Sequence, residues 1–138
     1  MTDYIKEITA ADTYPLRHAV MWPQMPLDFI ILPDDEKGIH FGLFKNDTLI
    51  AVASLFIENN IAQFRKLATA TPEQGKGYGS QLLSHLLAYA EDKKVKKIWC
   101  NARKDKAAFY FKFGLKVTKR VFRKQEIDYV VMEKLIIR

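Results

Sequence analysis

The stretch TPEQGKGYGS, residues 71–80, constrains this chain more than any other, because three of the chain's six glycines fall within five positions. Glycine loses more backbone entropy on folding than any other residue, so such a cluster needs a local reason. The run before it, IAQFRKLATA, reads as a strand. The run after it, GYGSQLLSHLLAYAEDKK, puts Leu82, Leu83, Leu86, Leu87 and Ala90 on one face at helical spacing. A strand that turns through glycines into a helix presents free backbone N–H groups at the helix's positive end. Missing β-carbons let an anion reach those groups, which suits phosphate. The spacing argues against the plainer reading, a mere strand-to-helix turn.

Spacing also separates the phosphate loops. A Walker loop needs Gly-Lys followed by Ser or Thr, which this chain lacks. A dinucleotide-binding turn needs a third glycine where Ser80 stands and an acidic residue closing the next strand, where Asn101 stands. What remains is Gln74-x-x-Gly77-x-Gly79.

Around the loop, periodicity gives the order β-α-β-β-β-α-β-α-β-β. YIKEI alternates as a first strand, and Thr9 with Asp12 forms a capping box for a short helix whose first turn accommodates Pro15. The proline-bearing MWPQMPLDFIILPDDEKG reads as a helix fragment wrapped in loops. HFGLF and LIAVASLFI flank a hairpin turn with an Asn-Asp core, and ENN turns into the third strand of that series. After the long helix come the strand VKKIWCN, the helix DKAAFYFKFG closed by Gly114, and the strands LKVTKRVF and DYVVMEKLII. The strands ending near Ala70 and Asn101 are expected to be parallel neighbours, since a helix links them. The expectation is a mixed sheet with helices on both faces.

The 138 residues suit one domain, and 49% apolar with 28% charged residues suits a folded one. No apolar run reaches the roughly 18 residues a bilayer span needs, and the N-terminus lacks a signal-peptide pattern. Cys100 is the one cysteine and reads as core, with no internal disulfide to form. These features lead to the expectation of a cytoplasmic chain with no membrane partner. The net charge of +6 suits an anionic ligand, but no zinc, helix-turn-helix or RNA-binding pattern supports nucleic acid.

Gln74-x-x-Gly77-x-Gly79 resembles the Q/R-x-x-G-x-G/A pyrophosphate loop of the GNAT superfamily of N-acetyltransferases. KLAT and the downstream NARKDKAAFYFKFGLK resemble that family's flanking motifs, with Leu115 where phenylalanine is usual. The resemblance covers essentially residues 1–138 as a single domain. It implies an α+β fold, three-layer α/β/α around a mixed, mostly antiparallel sheet (the acyl-CoA N-acyltransferase fold). It also implies acetyl-coenzyme A as donor, no metal, and direct attack of a primary amine of a small molecule or protein on the thioester. The alternative is a non-catalytic acyl-coenzyme A sensing module of the same fold. Many family members dimerise, so a homodimer is among the expectations, although no apolar stripe marks an interface.

By the same resemblance, Leu67, Ala68 and Thr69 offer backbone groups to the pantetheine arm. Gln74, Gly75, Lys76, Gly77, Tyr78, Gly79 and Ser80 wrap the pyrophosphate, and Asn101, Phe109, Tyr110 and Lys112 complete the cofactor set. Tyr110 is the candidate proton donor to the departing thiolate, since a phenol stays protonated at neutral pH. Some family members carry a glutamate where this chain has Gln63, so Glu58 becomes the candidate base, with His18 and His40 as alternatives. On the acceptor side stand Arg17, Trp22, Asp28 and His40, along with residues 122–129.

Overall fold

The computed structural model describes residues 3–136. Its strands are β1 (Asp3–Ile8), β2 (Ile39–Lys45), β3 (Thr48–Glu58), β4 (Ile61–Thr69), β5 (Lys97–Arg103), β6 (Lys116–Lys124) and β7 (Ile127–Leu135). Its helices are α1 (Ala10–Leu16), α2 (Tyr78–Asp92) and α3 (Ala107–Phe111). The strands are hydrogen-bonded in the order β1-β2-β3-β4-β5-β7-β6, a mixed α+β fold with the predicted succession of elements. By contact density the chain forms two compact units. One holds the chain up to Phe56 with Phe64–Tyr89; the other holds Ile57–Gln63 and the chain from Ala90 on.

In the first unit, β3 is buried without interruption from Ile50 to Phe56, as an apolar strand covered on both faces must be. The β2–β3 turn places Asn46 and Asp47 at φ 51° and 67°, the left-handed pair of a type I′ hairpin, with Lys45 opposite Thr48. Ile50 is an extra residue on β3, between the partners of Leu43 and Phe44, and its carbonyl accepts from the Ala70 amide at 2.8 Å. That bond anchors the chain where β4 gives way to the glycine loop. The four predicted leucines of α2, Leu82, Leu83, Leu86 and Leu87, are all buried here, each adding about 1.5–3 kcal/mol relative to exposure, and Ala90, in the second unit, is buried too.

The Thr9–Asp12 capping box is present in both directions. Pro15 lies well inside α1, beyond the first turn expected for it. Its missing N–H leaves a gap in the helical ladder, and the chain widens into a π-helical turn at Arg17–Met21. The proline-rich stretch then forms two 3-10 turns, Leu27–Ile30 and Asp35–Lys37.

In the second unit, Ile61–Gln63 of β4 pair in parallel with Lys97–Trp99 of β5, as the connecting helix requires. Strand β5 then pairs antiparallel with β7, and β7 with β6. Gly114, at φ 89°, closes α3 as the expected cap, with the Leu115 amide reaching back to the Tyr110 carbonyl.

Candidate active site

The glycine loop leaves β4 through a short 3-10 turn, Thr71–Glu73. Gly75 and Gly77 take φ values of 80° and 89°, which a side chain would strain, and a β-carbon at either would meet nothing within 4 Å. Both therefore border open space. Among the described residues, no backbone carbonyl accepts a hydrogen bond from the amides of residues 75–80. Those groups cap the positive end of α2, a ready anion site. The Gln74 side chain donates Nε2–H to the Thr69 carbonyl at 2.9 Å, and a β-carbon at Gly79 would lie 3.6 Å from Thr69 Oγ1. Thr69 is thus held against the motif residues Gln74 and Gly79, with Leu67 and Ala68 just before it on β4. Lys66, just upstream, has φ 60° within β4, a left-handed residue inside a strand. An anionic pyrophosphate fits this array of open donors.

In the second unit, Asn101 is exposed toward the end of β5, and Phe109 and Tyr110 are half-buried on α3. Their rings meet edge to face at 5.1 Å, and Phe109 contacts Phe113 at 5.4 Å. Burial pushes the Tyr110 phenol well above its usual value; the nearby Cys100 adds to this and Arg103 opposes it. Burial likewise raises the Cys100 thiol to about 12, consistent with a core residue. Lys112 is exposed just beyond α3.

Glu58 is exposed at the end of β3, beside the Asn59–Asn60 turn whose Asn60 carbonyl accepts from the Lys96 amide. That is the start of β5, whereas Tyr110 follows its other end. The two candidate catalytic groups are not brought together. Gln63 is buried, and β4 carries no carboxylate.

The acceptor-side candidates divide. Asp28 is exposed on its 3-10 turn. Trp22 is buried, its ring edge-on to Phe29 at 5.2 Å. Arg17 is fully enclosed and grips Asp35 in bidentate fashion at 2.8 and 3.0 Å, while also donating to the Ile30 carbonyl and Ser54 Oγ. His40 Nε2 lies 2.8 Å from the Asp35 carbonyl, which can only accept, so that nitrogen donates; Nδ1 lies 2.7 Å from Ser54 Oγ. The expected substrate contacts Arg17 and His40 instead knit the loops of the first unit. His18 Nε2 is 2.7 Å from the Met25 carbonyl and does the same locally. Burial works to raise the Asp35 carboxyl, but Arg17 and the Leu32 amide overcome it and hold it below the usual carboxylate range. No sequence pattern announced this pair, because its members lie 18 residues apart on loops.

The family model for the Acetyltransferase (GNAT) family matches residues 3–115, spanning the loop, β5 and α3. The chain belongs to the GNAT acetyltransferase family. The uncharacterised N-acetyltransferase YitI of Bacillus subtilis (strain 168) is 31% identical over 121 residues, covering 81% of either chain. Two solved structures share the fold of this GNAT chain. The ribosomal-protein-S18-alanine N-acetyltransferase of Escherichia coli has a TM-score of 0.84 at 20% identity, covering 98% of this chain and 94% of that one. A GNAT family acetyltransferase of Elizabethkingia anophelis with acetyl-CoA bound has a TM-score of 0.76 at 19% identity, covering 97% and 98%. The chain is thus an N-acetyltransferase by family. No helix among the described residues is long and apolar enough to cross a membrane, and none of their His, Cys, Asp and Glu groups forms a candidate metal cluster.

Proposed function

We propose that residues 1–138 act as one cytoplasmic N-acetyltransferase domain that moves an acetyl group from acetyl-coenzyme A to a primary amine of a small molecule or protein. The observation that carries this reading is the unbonded amide array of residues 75–80 at the head of α2, opened by Gly75 and Gly77. Residues 74–80 hold the pyrophosphate there through backbone N–H groups, and the β4 residues Leu67, Ala68 and Thr69 offer main-chain groups to the pantetheine arm. Asn101 supplies a side-chain amide to the same arm. When bound, acetyl-coenzyme A supplies an acetyl thioester open to direct attack by the amine.

Tyr110 gives its phenolic proton to the thiolate as the carbon–sulfur bond breaks, and the proton lost by the acylated nitrogen returns to the phenolate. Its raised pKa keeps the phenol protonated throughout the working pH range, and such a donor accelerates proton-coupled steps by about 10²–10⁴-fold. The position of Glu58 does not support it as partner to Tyr110, so the amine enters already neutral. The acceptor approaches by way of Asp28, which remains accessible.

A carboxylate-free β4 also favours a second reading, an acyl-coenzyme A sensor without turnover. Release of free coenzyme A thiol, followed with a panel of small amines and amino-terminal peptides, decides between them. Amine-dependent release supports the enzyme; binding of acetyl-coenzyme A with no release from any amine leaves the sensor.

A further inference from the structure

Glu73 immediately precedes Gln74 of the loop motif, and its Oε1 accepts from two ammonium groups. Lys45 Nζ lies at 3.1 Å and Lys76 Nζ at 3.3 Å. Lys76 belongs to the loop, but Lys45 is the last residue of β2 and reaches it from a distant part of the chain. Its Nζ also stands 5.7 Å from the centre of the Tyr78 ring, at the first residue of α2. One carboxylate therefore gathers two cations beside the unbonded amides of residues 75–80. The hydrogen bond to Glu73 keeps Lys45 firmly protonated, and the two lysines hold the Glu73 carboxyl ionised.

Carboxylate and phosphate oxygens are equivalent acceptors for an ammonium group. We propose that Glu73 is a built-in stand-in for phosphate, holding Lys45 and Lys76 at the loop and yielding them to phosphate oxygens of coenzyme A as it binds. This rests on the reading of the loop given above. Lys45 becomes a phosphate-binding residue from outside the motif, and Glu73 becomes a competitor that sets affinity. The exchange trades one charge-assisted bond for another, so Glu73 lowers affinity without blocking the site. Coenzyme A presents such oxygens on its pyrophosphate and on its 3′-phosphate, and both have the required chemistry.

The test is calorimetric titration of the whole chain with acetyl-coenzyme A, comparing the native protein with Glu73→Gln, Lys45→Met and the double variant. Glu73→Gln should bind about two- to fivefold tighter at low salt, the size of a partly exposed ion pair. The gain should shrink at high salt. Lys45→Met should weaken binding by a similar factor and reduce the gain in the double variant. Repeating the series with 3′-dephospho-coenzyme A separates the two phosphates. A gain lost with that ligand assigns the lysines to the 3′-phosphate, and a gain retained assigns them to the pyrophosphate. Equal or weaker binding by a Glu73→Gln protein of native melting temperature overturns the proposal. If that variant does not fold, unchanged affinity of Lys45→Met overturns it alone. Native protein that fails to bind acetyl-coenzyme A would instead defeat the loop reading itself.

Discussion

Replacing Arg17 by methionine should expose a buried electrostatic dependency in the first unit. The guanidinium makes four hydrogen bonds with no solvent contact, two of them to an Asp35 carboxylate that is only 3% exposed. Methionine fills much of the volume but leaves Asp35 charged and buried without its cation, facing the Leu32 amide at 2.9 Å and the Tyr14 hydroxyl. Removing one partner of a buried pair costs about 3–5 kcal/mol. At about 3–4 °C per kcal/mol for a chain of this size, the melting temperature should fall by about 10–20 °C. Circular dichroism melts and urea titrations read this directly. Arg17→Met with Asp35→Leu should recover most of the loss, because it removes the orphaned charge as well. The pair also has a pH signature. Because the native Asp35 carboxyl is held below its unfolded value, its contribution is complete above the unfolded pKa of about 4 and fades as pH falls through the lower native value. The gap between native and Arg17→Met proteins should therefore narrow below about pH 4. A destabilisation under about 1 kcal/mol at neutral pH, the scale of an exposed pair, would refute the reasoning.

Tyr110→Phe should lower kcat by about 100-fold while leaving acetyl-coenzyme A affinity within about twofold, since it removes a proton and not a contact surface; normal turnover would remove Tyr110 from the chemistry. Cys100, with its thiol raised to about 12 by burial, should resist a thiol-reactive dye at pH 8 and label only on unfolding, as a timed labelling assay reads out. The β6–β7 turn puts Gln125 and Glu126 at φ 51° and 65°, so Gln125→Asn with Glu126→Gly should raise stability by about 0.5–1 kcal/mol in a urea titration.

The parts of this fold legible in sequence are those set by a few adjacent residues. Thr9 with Asp12, Asn46 with Asp47 and Gly114 each announce a cap or turn through their own backbone chemistry, and the α2 face follows from its leucine spacing. The glycine loop was legible for the same reason. Pro15 falls deeper in α1 than the first turn because a capping box fixes where a helix starts and not how far a later proline lies inside it. The Gln125–Glu126 turn has neither glycine nor asparagine to mark it, and Lys66 takes its left-handed value within an otherwise ordinary strand pattern. Arg17, Asp35, His40 and Ser54 come together only through tertiary packing. A lone arginine in a proline-rich stretch gives no sign of whether it faces water or the interior. Lys45 and Glu73 escaped notice because strand ends and loops routinely carry such charges, and only their separation of 3.1 Å gives the pair meaning.

Under the proposed function, the open amides of residues 75–80 hold the pyrophosphate of acetyl-coenzyme A. Calorimetric titration of the native protein beside Gly77→Asp tests it most directly. The variant adds a carboxylate where open space now lies and a side chain at φ 89°, so it repels the anion and strains the loop without a packing clash. The account predicts binding by the native protein that is lost in a variant still folded by circular dichroism. Equal binding by both proteins, or none by the native one, would contradict it.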